Sequence, residues 1–208
     1  MLLRAPAEPR FAYVLAHGAG AGMRHPFLET IAQALSDRGV ATLRYEFPYM
    51  EARRSRPDPP AVAGARVREA VERACTDWPG LPLVAGGKSF GGRMTSTAQA
   101  EAPLEGVHGL AFLGFPLHPP GKPSTSRADH LYRVEVPMLF LQGTRDHFAQ
   151  LDLISRVCEK LGSRATLHLI DGGDHSFKVP KKTGRTAEQV MVELADRIAE
   201  FGDALSRS

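Results

Sequence analysis

Short runs of apolar, largely β-branched or aromatic residues recur along the chain, separated by stretches in which apolar residues return every three or four positions. The runs Phe11–Ala16, Val40–Tyr45, 81–85, Val107–Leu113, 138–141 and Ala165–Ile170, the last three bounded by Gly or Pro, read as strands buried on both faces. Between the first two, Phe27, Leu28, Ile31, Ala32 and Leu35 form one helical stripe, closed by Gly39. Val62, Val67, Ala70, Val71 and Ala74 predict the next helix, and segments 89–100, Leu151–Leu161 and Ala187–Leu205 predict three more. This alternation predicts an α/β fold: a doubly wound, mostly parallel six-stranded sheet with helices on both faces. Segments 46–60 and 115–133 are too rich in Pro and polar residues for regular structure and are expected as long loops.

At 208 residues the chain is the size of one domain, expected over 1–208. Folding at that length removes roughly 70% of the unfolded surface from water, so no covalent staple is needed. An apolar share of 43% and a charged share of 24% exclude disorder for most of the chain. Cys75 and Cys158 are too few and too far apart for a disulfide framework or a zinc site, and they suit a reducing compartment. The first ten residues lack a signal-like apolar run, and no stretch approaches the ~18 apolar residues of a membrane span. A cytoplasmic location without membrane attachment is therefore expected. A net charge of only +3, with small basic clusters at 53–56 and 181–182, argues against a nucleic-acid partner. His and carboxylate residues do not recur at ligand spacing, so neither a metal nor another cofactor is expected. No heptad or exposed apolar stripe declares an oligomeric state.

Directly after the third strand stands Gly87-Lys88-Ser89-Phe90-Gly91, a G-x-S-x-G pentapeptide that opens a predicted helix. A tight strand-to-helix turn leaves no room for side chains beside its central residue, so that residue is pushed out at the carboxyl edge of the sheet as a nucleophile must be. A phosphate-binding P-loop would need a glycine at position 82, which is Pro82, and would turn a buried strand into an open loop.

A serine hydroxyl needs a base to take its proton and a third group to hold the base. Of eight histidines, His175 in Gly173-Asp174-His175-Ser176-Phe177 follows the last predicted strand. Asp146 in Gly143-Thr144-Arg145-Asp146 follows the strand before it. Both loops reach the serine's edge of the sheet. Taken singly, Asp146 also suits a helix cap and His175 a surface loop; taken together, the order Ser89, Asp146, His175 points to a catalytic triad. The oxyanion formed by attack on a carbonyl would be met by the N–H of Phe90 and by a second donor, Ala19 or Gly20, in the glycine-rich loop 17–22.

Together with Pro116-Leu117-His118-Pro119-Pro120-Gly121-Lys122-Pro123, these segments resemble the α/β-hydrolase superfamily over nearly the full chain, and within it the small, nearly capless Tex30/KANSL3-like group related to dienelactone hydrolase. The resemblance implies Ser89 as nucleophile, His175 as base and Asp146 as its orienting carboxylate. It implies no particular substrate, and some relatives act in protein complexes. Too little chain precedes Phe11 for the two extra strands of a full-sized sheet, so that edge is expected truncated, with only a minimal cap. Phe47, Tyr49, Phe115, Leu117 and Phe177 are expected at the substrate rim, with Phe90 beside them, and Arg53, Arg54, Lys122 and Arg127 around it. The expected activity is cleavage of small carboxylic esters, thioesters or lactones through an acyl-enzyme. Alternatives are a non-catalytic interaction module, or acyl transfer or peptide cleavage with the same triad.

Overall fold

The computed structural model describes residues 1–205. Seven strands form one sheet: β1 (Leu2–Arg4), β2 (Phe11–Ala16), β3 (Val40–Tyr45), β4 (Leu83–Lys88), β5 (Val107–Leu113), β6 (Met138–Gly143) and β7 (Ala165–Ile170). Their order is β1-β3-β2-β4-β5-β6-β7, and all neighbours are parallel except the β1–β3 pair. Successive side chains of a strand face opposite ways. Ala12, Val14 and Ala16 therefore pack under α3 (Pro60–Asp77), α4 (Phe90–Glu101) and α5 (Leu151–Leu161), which cover one face. Phe11, Tyr13 and Leu15 pack under α1 (Pro26–Ser36) and α6 (Ala187–Leu205), which cover the other. The expected doubly wound class holds, and no helix among the described residues is long and apolar enough to cross a membrane.

The sheet has one strand more than expected. Leu2–Arg4 pairs antiparallel with β3, Leu2 opposite Arg44 and Arg4 opposite Thr42, so one of the two edge strands expected to be missing is present. Three half-exposed residues show no alternation long enough to recognise; only the hydrogen bonds of an unpaired neighbour edge define them. The expected loops also hold short helices, α2 (Pro48–Glu51) and a 3₁₀ stretch at Ser126–Arg133.

The chain leaves β2 through α1 on one face to reach β3, then returns through α3 on the other face to reach β4, which lies on β2's opposite side. The loops after β2 and β4 thus diverge, opening a crevice at the carboxyl ends of these strands where ligands of such sheets bind.

Candidate active site

Ser89 sits between β4 and α4 with φ +50° and ψ −115°, a conformation L-residues avoid at a cost of about 1–3 kcal/mol. Its N–H donates to the Leu113 carbonyl at 3.1 Å, and its carbonyl accepts from Arg93 N–H at 3.1 Å, which fixes the turn. The flanking glycines are demanded by space: a Cβ on Gly87 would strike the Ala16 carbonyl, and one on Gly91 would lie 2.5 Å from the carbonyl oxygen of His17.

Two later loops bring their side chains to this hydroxyl. His175 Nε2 lies 2.8 Å from Ser89 Oγ, and His175 Nδ1 lies 2.7 Å from Asp146 Oδ2. The network assigns Nδ1–H as donor to the carboxylate, leaving Nε2 to accept from the serine. Asp146 does not cap α5, whose N-cap is Gln150. Its Oδ1 accepts the Phe148 N–H at 2.8 Å, closing a turn beside the site, while Gln142 Nε2 donates to Oδ2 at 2.5 Å. Gln142 is fully buried at the end of β6 and also accepts the Phe115 N–H at 2.9 Å, so it ties the Asp146 loop to the chain leaving β5. The His175 loop is shaped by Asp174, whose Oδ1 accepts from the N–H groups of Ser176 and Lys178 at 2.8 and 2.9 Å.

The residue preceding the serine has its own environment. The Lys88 ammonium donates to the His175 carbonyl at 2.6 Å and lies 5.4 Å from the centre of the Phe177 ring. Burial lowers its pKa to about 8, with Asp146 and Asp174 opposing the shift from a distance.

Phe90 opens α4, where a first-turn N–H has no partner within the helix, and Ala19 lies exposed at the cavity wall. Gly20 does not share this position: its N–H points at the Tyr49 hydroxyl at 3.4 Å. Behind the loop, the buried His17 ring donates from Nδ1 to the Gly18 carbonyl at 2.8 Å and accepts the Phe47 N–H on Nε2 at 3.1 Å. Burial pushes the His17 pKa down and keeps the ring neutral, as those bonds require.

A cavity of about 550 Å³ opens beside Ser89, between α1, α6 and the His175 loop. Of the aromatic and apolar residues expected at its rim, only Phe177 lines it. Phe47 and Tyr49 are fully buried and pack edge-on to Phe90, bracing the 17–22 loop from behind. Phe115 and Leu117 are buried too, Phe115 packed edge-on against Phe112 and Phe140. These side chains turn inward because the α3–α4–α5 face supplies an apolar layer at this end of the sheet. Nor do the expected arginines surround the cavity: Arg54 pairs with Asp58 at 2.8 Å beside a separate surface recess, and the cations at the wall are Lys88 and Lys178. The residues sequence reasoning missed are Phe148, whose ring centre lies 4.4 Å from that of His175, and Phe27, Val190 and Met191 of the flanking helices. Their periodicity was visible, but a stripe that lines a cavity looks like one that fills a core.

A family model described as an alpha/beta hydrolase domain matches residues 9–203. Among solved structures, dienelactone hydrolase from Anabaena variabilis is similar with a TM-score of 0.74 at 23% identity, over 95% of this chain and 88% of that one. An alpha-beta serine hydrolase homologue from Coxiella burnetii is similar with a TM-score of 0.73 at 18% identity, over 96% of this chain and 89% of that one. Among curated proteins, the chain is 28% identical over 192 residues to a putative phosphoribosyl transferase of Mycobacterium tuberculosis, covering 90% of this chain and 40% of that one. The chain thus spans about two-fifths of the length of the curated relatives it matches.

Proposed function

We propose, from the premise that the chain belongs to the alpha/beta hydrolase family, that it is a serine hydrolase cleaving small carboxylic esters, thioesters or lactones through an acyl-enzyme. The observation that carries this reading is the unbroken line Ser89 Oγ, His175 Nε2, His175 Nδ1, Asp146 Oδ2, with steps of 2.8 and 2.7 Å, at the mouth of the cavity. In this reading Ser89 attacks the carbonyl carbon while its proton passes to His175 Nε2, and Asp146 stabilises the imidazolium so formed. The oxyanion is held by the N–H groups of Phe90 and Ala19. His175 then returns the proton to the departing alcohol or thiol, leaving the acyl group on Ser89. In the second half a water gives its proton to His175 and attacks the acyl carbon, and the collapse restores Ser89 and frees the acid.

Within the family we further place the chain in the small, nearly capless Tex30/KANSL3-like group, acting as one domain. The stretch from β5 to β6 supports this: it holds only the 3₁₀ turn at Ser126–Arg133 and no helical lid. A fluorophosphonate probe should label the wild-type protein and not Ser89→Ala, and p-nitrophenyl acetate turnover should fall at least a thousandfold in that variant. Equal labelling of both proteins would remove Ser89 from the mechanism.

A further inference from the structure

We infer that the cavity beside Ser89 is an acyl-chain subsite, which receives an unbranched apolar chain of roughly six to ten carbons between α1 and α6. The inference rests on the proposed hydrolase reading for its orientation, with the carboxyl end at Ser89, but the chain-binding space is a property of the two helices.

The space of about 550 Å³ walled by α1 and α6 opens to solvent beside Ser89, and small residues keep it open. Gly18, Ala19, Ala21 and Ala187 stand along the wall, where larger side chains would close it. The apolar surface comes from Phe27 and Leu28 on α1 and from Val190, Met191 and Leu194 on α6. Leu28, Val190 and Leu194 are covered and form the backing of the wall, the partly exposed Phe27 and Met191 present apolar surface to the space, and the exposed His25, Ser176 and Lys178 lie where the cavity meets solvent. An apolar depth with polar groups at its mouth fits a chain with a polar head, and Met191 supplies an adaptable wall for different lengths.

No Asp or Glu lines the space, while Lys88 and Lys178 do. A carboxyl head is thus met without repulsion. A short acetyl group would leave the deep part empty and gain nothing from it; each CH₂ buried there strengthens binding about fourfold.

Straight-chain carboxylates from butyrate to dodecanoate, titrated into the wild-type protein by calorimetry, test this without any turnover. Affinity should climb at least a hundredfold from butyrate to octanoate, then level off once the chain outruns the cavity. Met191→Trp fills the space and should weaken decanoate at least tenfold with little effect on butyrate. Ala187→Trp, at the exposed rim, should do the same without disturbing the core, and Val192→Trp, exposed on α6 and outside the cavity lining, should change nothing. A flat affinity across chain length, or decanoate binding within twofold of wild type in both cavity variants, overturns the subsite. Assaying p-nitrophenyl esters on the same samples separates the two ideas: chain-dependent binding without turnover rejects the hydrolase and keeps the subsite, and turnover with flat binding does the reverse.

Discussion

Gln142 carries two hydrogen bonds that a leucine of similar size cannot make, one to Asp146 Oδ2 and one from the Phe115 N–H. In Gln142→Leu the carboxylate loses a donor and a buried amide is stranded, and a hydrogen bond to a charged group is worth about 1.5–3 kcal/mol. Under the proposed mechanism, where that loss is felt in the transition state, kcat for ester hydrolysis should fall about ten- to a hundredfold while KM stays near wild type. Unchanged kcat in a folded variant would show that Asp146 is held well enough without it. This residue also marks the limit of what could be read in advance. Ser89, Asp146 and His175 are recognisable because each sits in a short glycine-bearing turn after a strand. Gln142 is the last polar letter of an apolar run, and nothing in the run says that its side chain faces a carboxylate. The choice between Ala19 and Gly20 is hidden for a related reason: neighbouring amides of one loop look alike in sequence, and only the fold shows that the Gly20 N–H points at the Tyr49 hydroxyl.

At the scale of elements, Phe11–Ala16, Leu151–Leu161 and Ala187–Leu205 lie where periodicity placed them, because each buries an uninterrupted apolar face. The losses were elements held by partners rather than by their own pattern: β1 by the edge of β3, and α2 by the Asp58 carboxylate, which accepts the Tyr49 N–H at 2.8 Å. The rim aromatics were misassigned because a loop residue between two layers can face either the core or the cavity, and composition does not distinguish them. The packing of α6 makes a sharper test. Gly202 is buried, and a Cβ added there would land on the Phe11 ring at the start of β2. Phe11 is fully buried and cannot swing away. Gly202→Val should therefore cost about 1–3 kcal/mol through overpacking, despite valine's smaller entropy loss on folding. Urea denaturation checks it; a more stable variant would mean that α6 slides on the sheet at little cost.

Over the whole molecule, stability should depend on pH through groups held away from their ordinary charge. His130 donates or accepts at Ser96 Oγ at 2.7 Å and is lowered to about 4, first by burial and then by the nearby Arg93 and Arg133. In the unfolded chain it titrates near 6.5. Between those values the unfolded state binds a proton that the folded state refuses, so stability is fully present above about pH 6.5 and drains away toward pH 4. The full shift corresponds to about 3 kcal/mol, and partial exposure of the ring reduces this to about 2. The buried His17 adds in the same direction. Lys88 acts at the other end. Its folded pKa of about 8 lies below that of an unfolded lysine; between the two the unfolded chain again holds more protons, so its contribution to stability rises with pH from about 8 toward 10.5. Urea midpoints of wild type, His130→Gln and Lys88→Met from pH 4.5 to 10 resolve the two groups. The gap between wild type and His130→Gln should shrink or reverse as pH falls below 6, whereas wild type should gain on Lys88→Met above pH 8. Parallel profiles for all three proteins would show that neither side chain is held in the charge state its surroundings impose.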